Sequence, residues 1–281
     1  MKVCKTWKDY EIISTNFGEK FERWGEYLLV RPDPQIIWKN EFNIKNAHAH
    51  YHRSNTGGGS WEYKNKLPAE WIIGWKNLKF IVKPMGFKHT GLFPEQAVNW
   101  EMMIDAIKKS NRDINVLNLF AYTGAATVAC ASAGASVTHV DSAKNMVERA
   151  KQNAQLSGLK DAHIRYIVDD CKKFIEREIR RGKKYDAIIM DPPSYGRGTN
   201  GEVWKLEDSI FEFVNLTKKI LSDKPLFVLI NSYTTGLSPI VMENILKLVF
   251  KKGKFDSYEI GLPTNEGIVL PCGSSAVYLG E

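Results

Sequence analysis

The sequence predicts an α/β protein, with a small β-rich domain over residues 1–83 and a mainly parallel sheet over residues 84–281. Two observations predict this class. Strand and helix patterns alternate after Pro94, which is the arrangement of a parallel sheet with helices on both faces. Before residue 84 the apolar runs are short, rich in aromatic and β-branched residues, and separated by turns.

The composition is that of an ordinary globular protein and leaves the partner open. The chain has 281 residues, 43% hydrophobic and 25% charged, which excludes collagen-like, low-complexity and disulfide-scaffold classes. Its formal net charge is +7. Residues 1–83 hold 14 basic against nine acidic residues, together with six of the eight tryptophans. A modest positive excess favours either solubility or attraction to an anionic partner such as nucleic acid.

The elements expected in the first part are short strands. They are placed at residues 27–30, 61–63, 71–73 and 78–83 because these runs are rich in aromatic and β-branched residues. Pro32 and Pro34 end the first of them. A helix with apolar residues at helical spacing is expected over residues 94–109, with Pro94 in its first turn.

Five strands, each followed by a helix, are expected next, and then two strands without a helix between them. The strands are expected at 114–119, 136–141, 164–168, 187–190 and 226–230, the helices at 125–133, 143–157, 171–181, 208–221 and 239–250, and the last strands at 255–260 and 276–279. A short connection allows the final strand to run antiparallel to its neighbour.

The residues that follow each strand are the candidate ligand contacts, because ligands of open α/β sheets bind beyond the carboxyl ends of the strands. The first strand runs into the stretch Leu117–Gly124, LNLFAYTG, whose glycine opens a helix and allows a ligand to approach backbone N–H groups. Asp141 ends the second strand and can accept hydrogen bonds from ribose hydroxyls. Asp170 follows the third strand and can accept one from an adenine amino group. Both aspartates could instead cap the helices that follow them.

The fourth strand is followed by the most specific pattern, Asp191-Pro192-Pro193-Ser194-Tyr195. Two prolines set two φ angles and remove two N–H donors, which predicts a stiff loop whose carbonyls have no competing local partner. Asp191 stands at its base, and Tyr195 offers an aromatic face. A purely structural Pro-Pro turn is the alternative. The polar run Asn231–Gly236 follows the fifth strand and is expected to face the same crevice.

These loops, in this order, resemble those of the class I S-adenosylmethionine-dependent methyltransferases. The closer likeness is to the large-subunit ribosomal RNA methyltransferases of the I and K types and their uncharacterised bacterial relatives, over residues 84–281. LNLFAYTG resembles their first motif, although the broader superfamily has an acidic residue at Asn118 and glycines at Phe120 and Tyr122. DPPS resembles their fourth motif. The resemblance implies a Rossmann-like seven-stranded sheet, mainly parallel with the last strand antiparallel, and S-adenosyl-L-methionine as cofactor.

The resemblance also implies roles for individual residues. Asp141 would hold the ribose, Asp170 the adenine amino group, and Cys171 the adenine ring through its backbone N–H. The segment Thr90–Gln96 resembles an element that closes over the cofactor. The cofactor contacts expected in full are Phe93, Gln96, Asn118, Phe120, Ala121, Tyr122, Thr123, Gly124, Asp141, Asp170, Cys171 and Asp191, and the catalytic loop is Asp191, Pro192, Pro193, Ser194 and Tyr195.

The expected reaction is methyl transfer to a base of RNA, with ribosomal RNA favoured. A stiff polar loop with an aromatic neighbour suits a base taken out of its stack. Carbon-5 methylation of a pyrimidine usually needs a cysteine nucleophile. The loops at 191–196 and 231–236 contain none, and Cys272 is interpreted as structural, so transfer to a ring or exocyclic nitrogen is expected. The RNA-binding PUA domain of the I-type relatives is not recognised in residues 1–83.

Several alternatives stay open at this point. The acceptor could be a protein or a small molecule, or the chain could bind RNA without transferring a methyl group. A nucleotide-dependent oxidoreductase is disfavoured because GxGxxG is absent. No metal is expected, since His48, His50 and His52 alternate along one strand face but have no acidic partner nearby in sequence. Widely spaced cysteines and the lack of a long apolar run predict a cytoplasmic protein without a membrane span.

Overall fold

In a computed structural model, which describes residues 1–54, 58–197 and 203–280, the chain packs as two compact units. The front unit comprises Lys2–Val98 and Gly261–Cys272, and the rear unit comprises Asn99–Ile260 and Gly273–Glu281 with Met1. Packing thus divides the chain after Val98, whereas the boundary expected from the sequence lies after residue 83. The front unit also takes in the end of β16, the turn after it and the start of β17, a long-range association that sequence patterning does not reveal. The division of function between the two parts remains a proposal.

The front unit is built from strands. They are β1 Lys2–Val3, β2 Tyr10–Asn16, β3 Glu19–Trp24, β4 Tyr27–Pro32, β5 Ala49–Arg53, β6 Gly59–Tyr63, β7 Trp71–Trp75 and β8 Leu78–Val82, followed by 3₁₀ turns at Gly86–Lys88 and Pro94–Gln96. Strands β2 to β6 form one sheet in sequence order, antiparallel except for the parallel β4–β5 pair, while β7 and β8 form a separate antiparallel hairpin. The β-rich character expected of this part is confirmed.

Sequence patterning misses β2 and β3 because charged residues interrupt their apolar alternation. Glu22 is fully buried on β3, where it accepts hydrogen bonds from Nε of Arg31 at 2.6 Å and from the hydroxyl of Tyr10 at 2.7 Å. A buried carboxylate is tolerated only when it is paired and hydrogen-bonded, as it is here. The pattern of inward apolar and outward polar residues therefore fails at this position.

The six tryptophans of the front unit serve its packing. Trp24 and Trp75 are fully buried, and the other four are half-buried. Indole N–H groups donate from Trp7 to the Pro94 carbonyl, Trp38 to Thr15, Trp61 to the Met85 carbonyl, Trp71 to the Trp24 carbonyl and Trp75 to Thr6, at 2.8–3.0 Å. A buried indole usually finds such a partner. The concentration of tryptophan is therefore a property of this unit's core and not an exposed stacking surface.

The rear unit alternates strands and helices as expected. Its strands are β9 Asn115–Leu119, β10 Ser136–Asp141, β11 Ile164–Val168, β12 Ala187–Met190, β13 Tyr195–Arg197, β14 Val203–Lys205, β15 Phe227–Ser232, β16 Lys254–Pro263 and β17 Val269–Leu279. The helices are α1 Ala97–Lys109, α2 Ala125–Ser132, α3 Lys144–Leu156, α4 Cys171–Arg180, α5 Leu206–Lys218 and α6 Pro239–Phe250. The short β13–β14 hairpin, which follows the DPPS motif, is not predicted by the sequence.

Seven strands of the rear unit lie side by side in the order β16-β17-β15-β12-β9-β10-β11. The pairs from β15 to β11 are parallel, and β17 runs antiparallel to β15. The predicted fold class is thereby confirmed. On one face of the sheet, Ile188 and Val228 pack against Phe174 of α4, Phe213 of α5 and Leu246 of α6. Each such buried side chain contributes roughly 1.5–3 kcal/mol. No helix of the described residues is long and apolar enough to cross a membrane.

Candidate cofactor and acceptor site

The parallel strands of the rear unit end together at a reversal in strand order. From β9 the chain builds outward through β10 and β11, then continues with β12 on the other side of β9. Leu119 pairs with both Val140 and Met190, and Met190 pairs with Ile230. The ends of four strands are therefore in register, and the loops that follow β9 and β12 flank the reversal. This is where ligands bind in open α/β sheets.

The first loop, residues 120–124 after β9, has a backbone conformation that normally requires glycine. Phe120, Tyr122 and Gly124 have φ angles of 54°, 49° and 80°. For a residue with a side chain this left-handed conformation costs roughly 1–2 kcal/mol. The motif thus keeps the backbone of a glycine-containing loop while carrying two aromatic residues. Strain of this kind tends to be retained at ligand-binding loops.

Aromatic packing compensates for this strain at Phe120. Its ring centroid lies 5.4 Å from those of Trp204 and Phe213, which are themselves in edge contact. Each aromatic pair contributes about 0.5–1.5 kcal/mol beyond area burial. At Gly124, in contrast, an added Cβ would lie 2.5 Å from the Cβ of Ala150, so only glycine fits. The glycine therefore allows the start of α2 to approach α3 closely.

A buried polar network supports the first loop from below. Asn118 is 2% exposed and donates to the hydroxyl of Thr127 at 3.0 Å, which contacts Nδ1 of His139 at 2.9 Å. Burial lowers the pKa of His139 to about 3, so its imidazole is neutral. The amide of Asn153 donates to the carbonyl of Thr123 at 2.9 Å. Asn118 thus lies beneath the loop as a support, and its direct contact with a cofactor remains a prediction.

Asp141 ties the ends of β9 and β10 together. Its Oδ2 accepts from the N–H of Tyr122 at 2.8 Å, and Oδ1 accepts from the N–H of Ala143 at 2.9 Å. Helix α3 has Ala143 at its N-cap, so the alternative of a helix-capping Asp141 is wrong, and the residue forms an Asx turn. Burial raises the pKa of Asp141 and outweighs the two backbone hydrogen bonds, which by themselves would lower it. A carboxylate has about four acceptor sites, which leaves capacity for ribose hydroxyls.

At the third strand end, Asp170 and Cys171 begin α4. Oδ1 of the exposed Asp170 accepts from the N–H of Lys173 at 2.9 Å, so the helix-capping alternative is correct for this residue. One capping bond does not exhaust the carboxylate. The buried Cys171 thiol accepts from the N–H of Phe120 at 3.3 Å and links α4 to the first loop. Burial raises the pKa of this thiol, which keeps it protonated.

The DPPS loop, residues 191–195, is held by hydrogen bonds to its carbonyls. The indole N–H of Trp204 donates to the carbonyl of Pro193 at 2.7 Å, and the N–H of Leu206 donates to that of Ser194 at 3.1 Å. The expectation that these carbonyls have no local partner is therefore wrong. Pro193, Ser194 and Tyr195 are exposed, with 55% of the Tyr195 side chain accessible.

A second contact attaches this loop to the end of β15. The hydroxyl of Thr234 donates to the hydroxyl of Ser194 at 2.7 Å. At the base of the loop Pro192 is buried, and the N–H of the half-buried Asp191 lies 3.5 Å from the carbonyl of Leu119. The DPPS loop is thus attached to the β9 end, the β15 end and the β13–β14 hairpin, which makes it a rigid edge of the crevice.

Behind this edge, the end of β15 is itself supported by buried polar side chains. The amide of Asn99 donates to Oδ1 of Asn231 at 3.1 Å and to the hydroxyl of Ser275 at 2.9 Å. The hydroxyl of Tyr258 donates to Oδ1 of Asn99 at 2.8 Å. All four residues are buried, and such fully satisfied networks make a site rigid.

Two of the expected cofactor contacts belong to the front unit. Phe93 precedes the 3₁₀ turn Pro94–Gln96, and its ring centroid lies 5.6 Å from that of His89. Gln96 is buried, and its N–H donates to the carbonyl of Phe93 at 3.1 Å. Their participation in cofactor binding stays a prediction.

Sequence reasoning misses Trp204, which contacts both the first loop and the DPPS loop. Its position 11 residues beyond Pro193 lies on the hairpin that sequence patterning does not predict. A lone tryptophan in a polar segment directly after the motif is the signal that could have indicated it.

Comparison with known proteins identifies this arrangement. A family model of S-adenosylmethionine-dependent methyltransferases matches residues 19–236. The chain belongs to this family. A solved relative, a SAM-dependent methyltransferase from Agrobacterium tumefaciens, is 36% identical, with a TM-score of 0.92 over 98% of this chain and 91% of that one.

Two further relatives of the methyltransferase carry more specific names. This chain is 32% identical over 202 residues to the ribosomal RNA large subunit methyltransferase K/L of Shewanella frigidimarina, and the match covers 71% of this chain and 27% of that protein. It is 31% identical over 132 residues to the ribosomal RNA large subunit methyltransferase I of Aeromonas salmonicida, covering 46% of this chain and 32% of that protein. The methyltransferase therefore spans about a quarter to a third of the length of these relatives.

The cofactor of the family is S-adenosyl-L-methionine, which supplies a methyl group on a positively charged sulfur when bound. The described residues fit it. Gly124 leaves no side chain at the start of α2, the Asp141 carboxylate lies at the adjacent strand end, and Cys171 presents the first N–H of α4, which has no partner within its helix. The sequence predicts Asp141 for the ribose and Cys171 for the adenine ring, with Gly124 in the loop that a ligand approaches, and the assignment of each remains a prediction.

Proposed function

We propose that the methyltransferase modifies a base of RNA, with ribosomal RNA as the favoured substrate and a ring or exocyclic nitrogen as the acceptor atom. The observation that carries the proposal is the rigid, exposed edge formed by Pro193, Ser194 and Tyr195 beside the first loop. A flat acceptor can lie against such an edge, and nucleobases that are enzymatically modified are commonly taken out of their stack.

The names of the relatives support the RNA substrate. The K/L and I proteins are named as ribosomal RNA large subunit methyltransferases, and the similarity covers the segment that contains the site. Because this chain spans only part of those proteins, their substrates enter here as a proposal. A ribosomal substrate would place the methyltransferase in the cytoplasm.

The cysteines support a nitrogen acceptor. A thiol that attacks a pyrimidine ring must be accessible and readily deprotonated. Cys171 is buried and protonated beneath the first loop. Cys272 belongs to the front unit, its thiol donates to the carbonyl of Leu270 at 3.4 Å, and burial raises its pKa well above the ordinary value. Neither thiol is prepared to act as a nucleophile.

The chain's own residues would act by positioning. In-line displacement depends on holding the acceptor atom against the methyl group and on excluding water. Asp191 would accept a hydrogen bond from an amino or ring N–H of the base, and Tyr195 would stack on it. Trp204 and Thr234 would keep the loop in place.

Substrate choice is proposed for the front unit. Residues 1–83 carry 14 basic against nine acidic residues, which favours an anionic partner. Because the tryptophans are used in the core, recognition would depend on basic and polar surface groups and not on indole stacking.

The deciding experiment compares modified nucleosides in ribosomal RNA from cells with and without the gene by mass spectrometry. We expect one methylated base to disappear and to return on complementation with the wild type but not with Asp191→Ala. The purified protein with S-adenosylmethionine should methylate RNA from the deletion strain. If ribosomal RNA is unchanged, transfer RNA, proteins and small molecules become the substrates to test. If Asp191→Ala complements fully, the catalytic assignment of the loop is wrong.

A further inference from the structure

The β5–β6 hairpin of the front unit gathers two imidazoles and a carboxylate on one face. His50 and His52 are two residues apart on β5, so their side chains point to the same side of the sheet. Glu62 lies opposite His50 on the antiparallel neighbour β6. The sequence gives these histidines no acidic partner, and pairing of the two strands supplies one. The sequence-based argument against a metal therefore does not hold for the folded chain.

The three ligand atoms lie close together. One atom each from His50, His52 and Glu62 falls within 4.8 Å of the others. The two imidazole centroids are 4.0 Å apart, and Nε2 of His52 lies 2.8 Å from Oε2 of Glu62. The arrangement brings two nitrogen donors and one carboxylate oxygen close to a single point.

A second carboxylate reaches the cluster from a third strand. Oε1 of Glu19, on β3, lies 2.5 Å from Nε2 of His50. His50 is buried, and its Nδ1 has no hydrogen-bond partner among the described residues. A buried imidazole with one unsatisfied nitrogen is unfavourable in a purely structural role. The paired carboxylate also orients the ring, as carboxylates do for metal-bound histidines.

His48 is not part of this cluster, although the sequence places it in the same alternation. It precedes β5, and its Nδ1 accepts from the N–H of Leu28 at 3.0 Å. Its ring is in edge contact with Tyr27 at 5.3 Å between centroids. The third alternate histidine is therefore used for packing, and Glu62 takes its place.

We propose that His50, His52 and Glu62 form a three-ligand binding site for Zn²⁺, with Glu19 orienting His50 and a water completing the coordination. Two imidazoles and one carboxylate are a donor set typical of zinc, whereas Mg²⁺ prefers an all-oxygen shell. Ligands of a tetrahedral zinc ion are roughly 3.4 Å apart. His52 and Glu62 are about half exposed and can close the remaining gap by side-chain rotation.

A neighbouring lysine would compete with a metal ion for the Glu62 carboxylate. Nζ of Lys64 lies 3.6 Å from Oε2 of Glu62 in an exposed ion pair. Exposed pairs of this kind contribute roughly 0–1 kcal/mol, so zinc can displace the lysine at little cost. A bound ion would link β5 and β6, and so stabilise the sheet of the front unit. This inference is independent of the proposed RNA substrate.

The test is isothermal titration of the chelator-treated full chain with Zn²⁺, and separately with Mg²⁺. Wild type should bind one equivalent of Zn²⁺ and show a higher melting temperature, with no effect of Mg²⁺. His52→Ala should weaken binding by more than the roughly tenfold typical of losing an outer-shell partner. His163→Ala is the matched control, because it removes an exposed imidazole from the rear unit.

Glu62→Gln is the second variant. Because 53% of the Glu62 side chain is exposed, this variant should fold even if His52→Ala does not, so the test still gives a clear result. Glu62→Gln should lower the affinity for Zn²⁺ while leaving the melting temperature of the metal-free protein unchanged. Absence of Zn²⁺ binding to wild type would overturn the proposal. Equal affinity of wild type, His52→Ala and Glu62→Gln would also overturn it, because the ion would then bind elsewhere.

Discussion

The indole N–H of Trp204 donates a 2.7 Å hydrogen bond to the carbonyl of Pro193. The same ring packs 5.4 Å from Phe120, so one side chain contacts both loops at the reversal of the sheet. The proposed acceptor edge and the proposed cofactor loop are thereby held in a common geometry. This contact makes the conformation of the DPPS loop dependent on a residue beyond the motif.

Replacing Trp204 with phenylalanine should lower turnover with little change in cofactor affinity. The ring contacts with Phe120 remain, whereas the donor to Pro193 is lost, at roughly 0.5–1.5 kcal/mol. We expect kcat for RNA methylation to fall about three- to tenfold. The matched control is Trp38→Phe, which removes an indole hydrogen bond to Thr15 in the front unit. Equal turnover of both variants and wild type would show that this contact does not position the loop.

Gly124→Ala should destabilise the protein more than Gly158→Ala does. Both glycines have left-handed φ angles, 80° and 75°, so each substitution carries the same backbone cost of about 1–2 kcal/mol. Only at Gly124 does the new methyl meet Ala150, which adds roughly 1–3 kcal/mol of overpacking. Urea denaturation measures the difference, and calorimetry should show weaker S-adenosylmethionine binding only for Gly124→Ala. Similar stability losses in the two variants would contradict the steric argument.

Asp141→Ala should reduce the affinity for S-adenosylmethionine by roughly 10- to 100-fold, because charge-assisted hydrogen bonds contribute about 1.5–3 kcal/mol. The substitution removes the proposed ribose acceptor and also releases the N–H of Tyr122. Asp113→Ala is the control, since it removes an exposed carboxylate just before β9. Calorimetric titration compares the variants, and an unchanged dissociation constant for Asp141→Ala would exclude the residue from the site.

Glu22→Gln should destabilise the protein at neutral pH by about 3–5 kcal/mol, because it leaves Arg31 buried without a counter-charge. Burial alone would raise the pKa of Glu22, but Arg31 and Lys20 outweigh it and lower the pKa to about 2. Because the pKa of Glu22 is lower in the folded protein than in the unfolded chain, its ionised carboxylate stabilises the fold at pH values above about 4.5, the unfolded pKa. This contribution is lost as the pH falls towards 2. Urea denaturation of both proteins should therefore show a difference that shrinks between about pH 4.5 and 2. A constant difference across this range would contradict the assignment.

Cys272→Ala should retain methyl transfer, because its half-buried thiol has a raised pKa, stays protonated and is not a nucleophile. Initial rates with ribosomal RNA measure this directly, and mass spectrometry of the product nucleoside identifies the methylated atom. Loss of turnover with intact cofactor binding would instead indicate carbon methylation through this residue.

Local patterning was sufficient for most of the rear unit. The strands Ile164–Val168 and Ala187–Met190 and the helix Pro239–Phe250 have the bounds that periodicity predicts. Apolar runs bounded by turn residues specify such elements without reference to distant partners. The helix expected from residue 94 is a 3₁₀ turn up to Gln96 and an α-helix only from Ala97.

Prediction failed where the interior of the protein is polar. β3 escapes detection because its inward-facing Glu22 is neutralised by Arg31 on the next strand. The β13–β14 hairpin escapes because its strands have only three residues each. The metal-binding potential of His50 and His52 depends on Glu62, which lies opposite only after two strands pair.

The sequence by itself determined the α/β class of this protein, its methyltransferase family and the order of the loops that follow its strands, since these depend on local periodicity and short motifs. Only the tertiary structure decided which side chains meet: Trp204 with Pro193, Thr234 with Ser194, and Glu62 with His52. The physical reason is that these contacts depend on strand register and chain reversal, which place side chains from different strands and loops together. No local sequence pattern specifies these contacts.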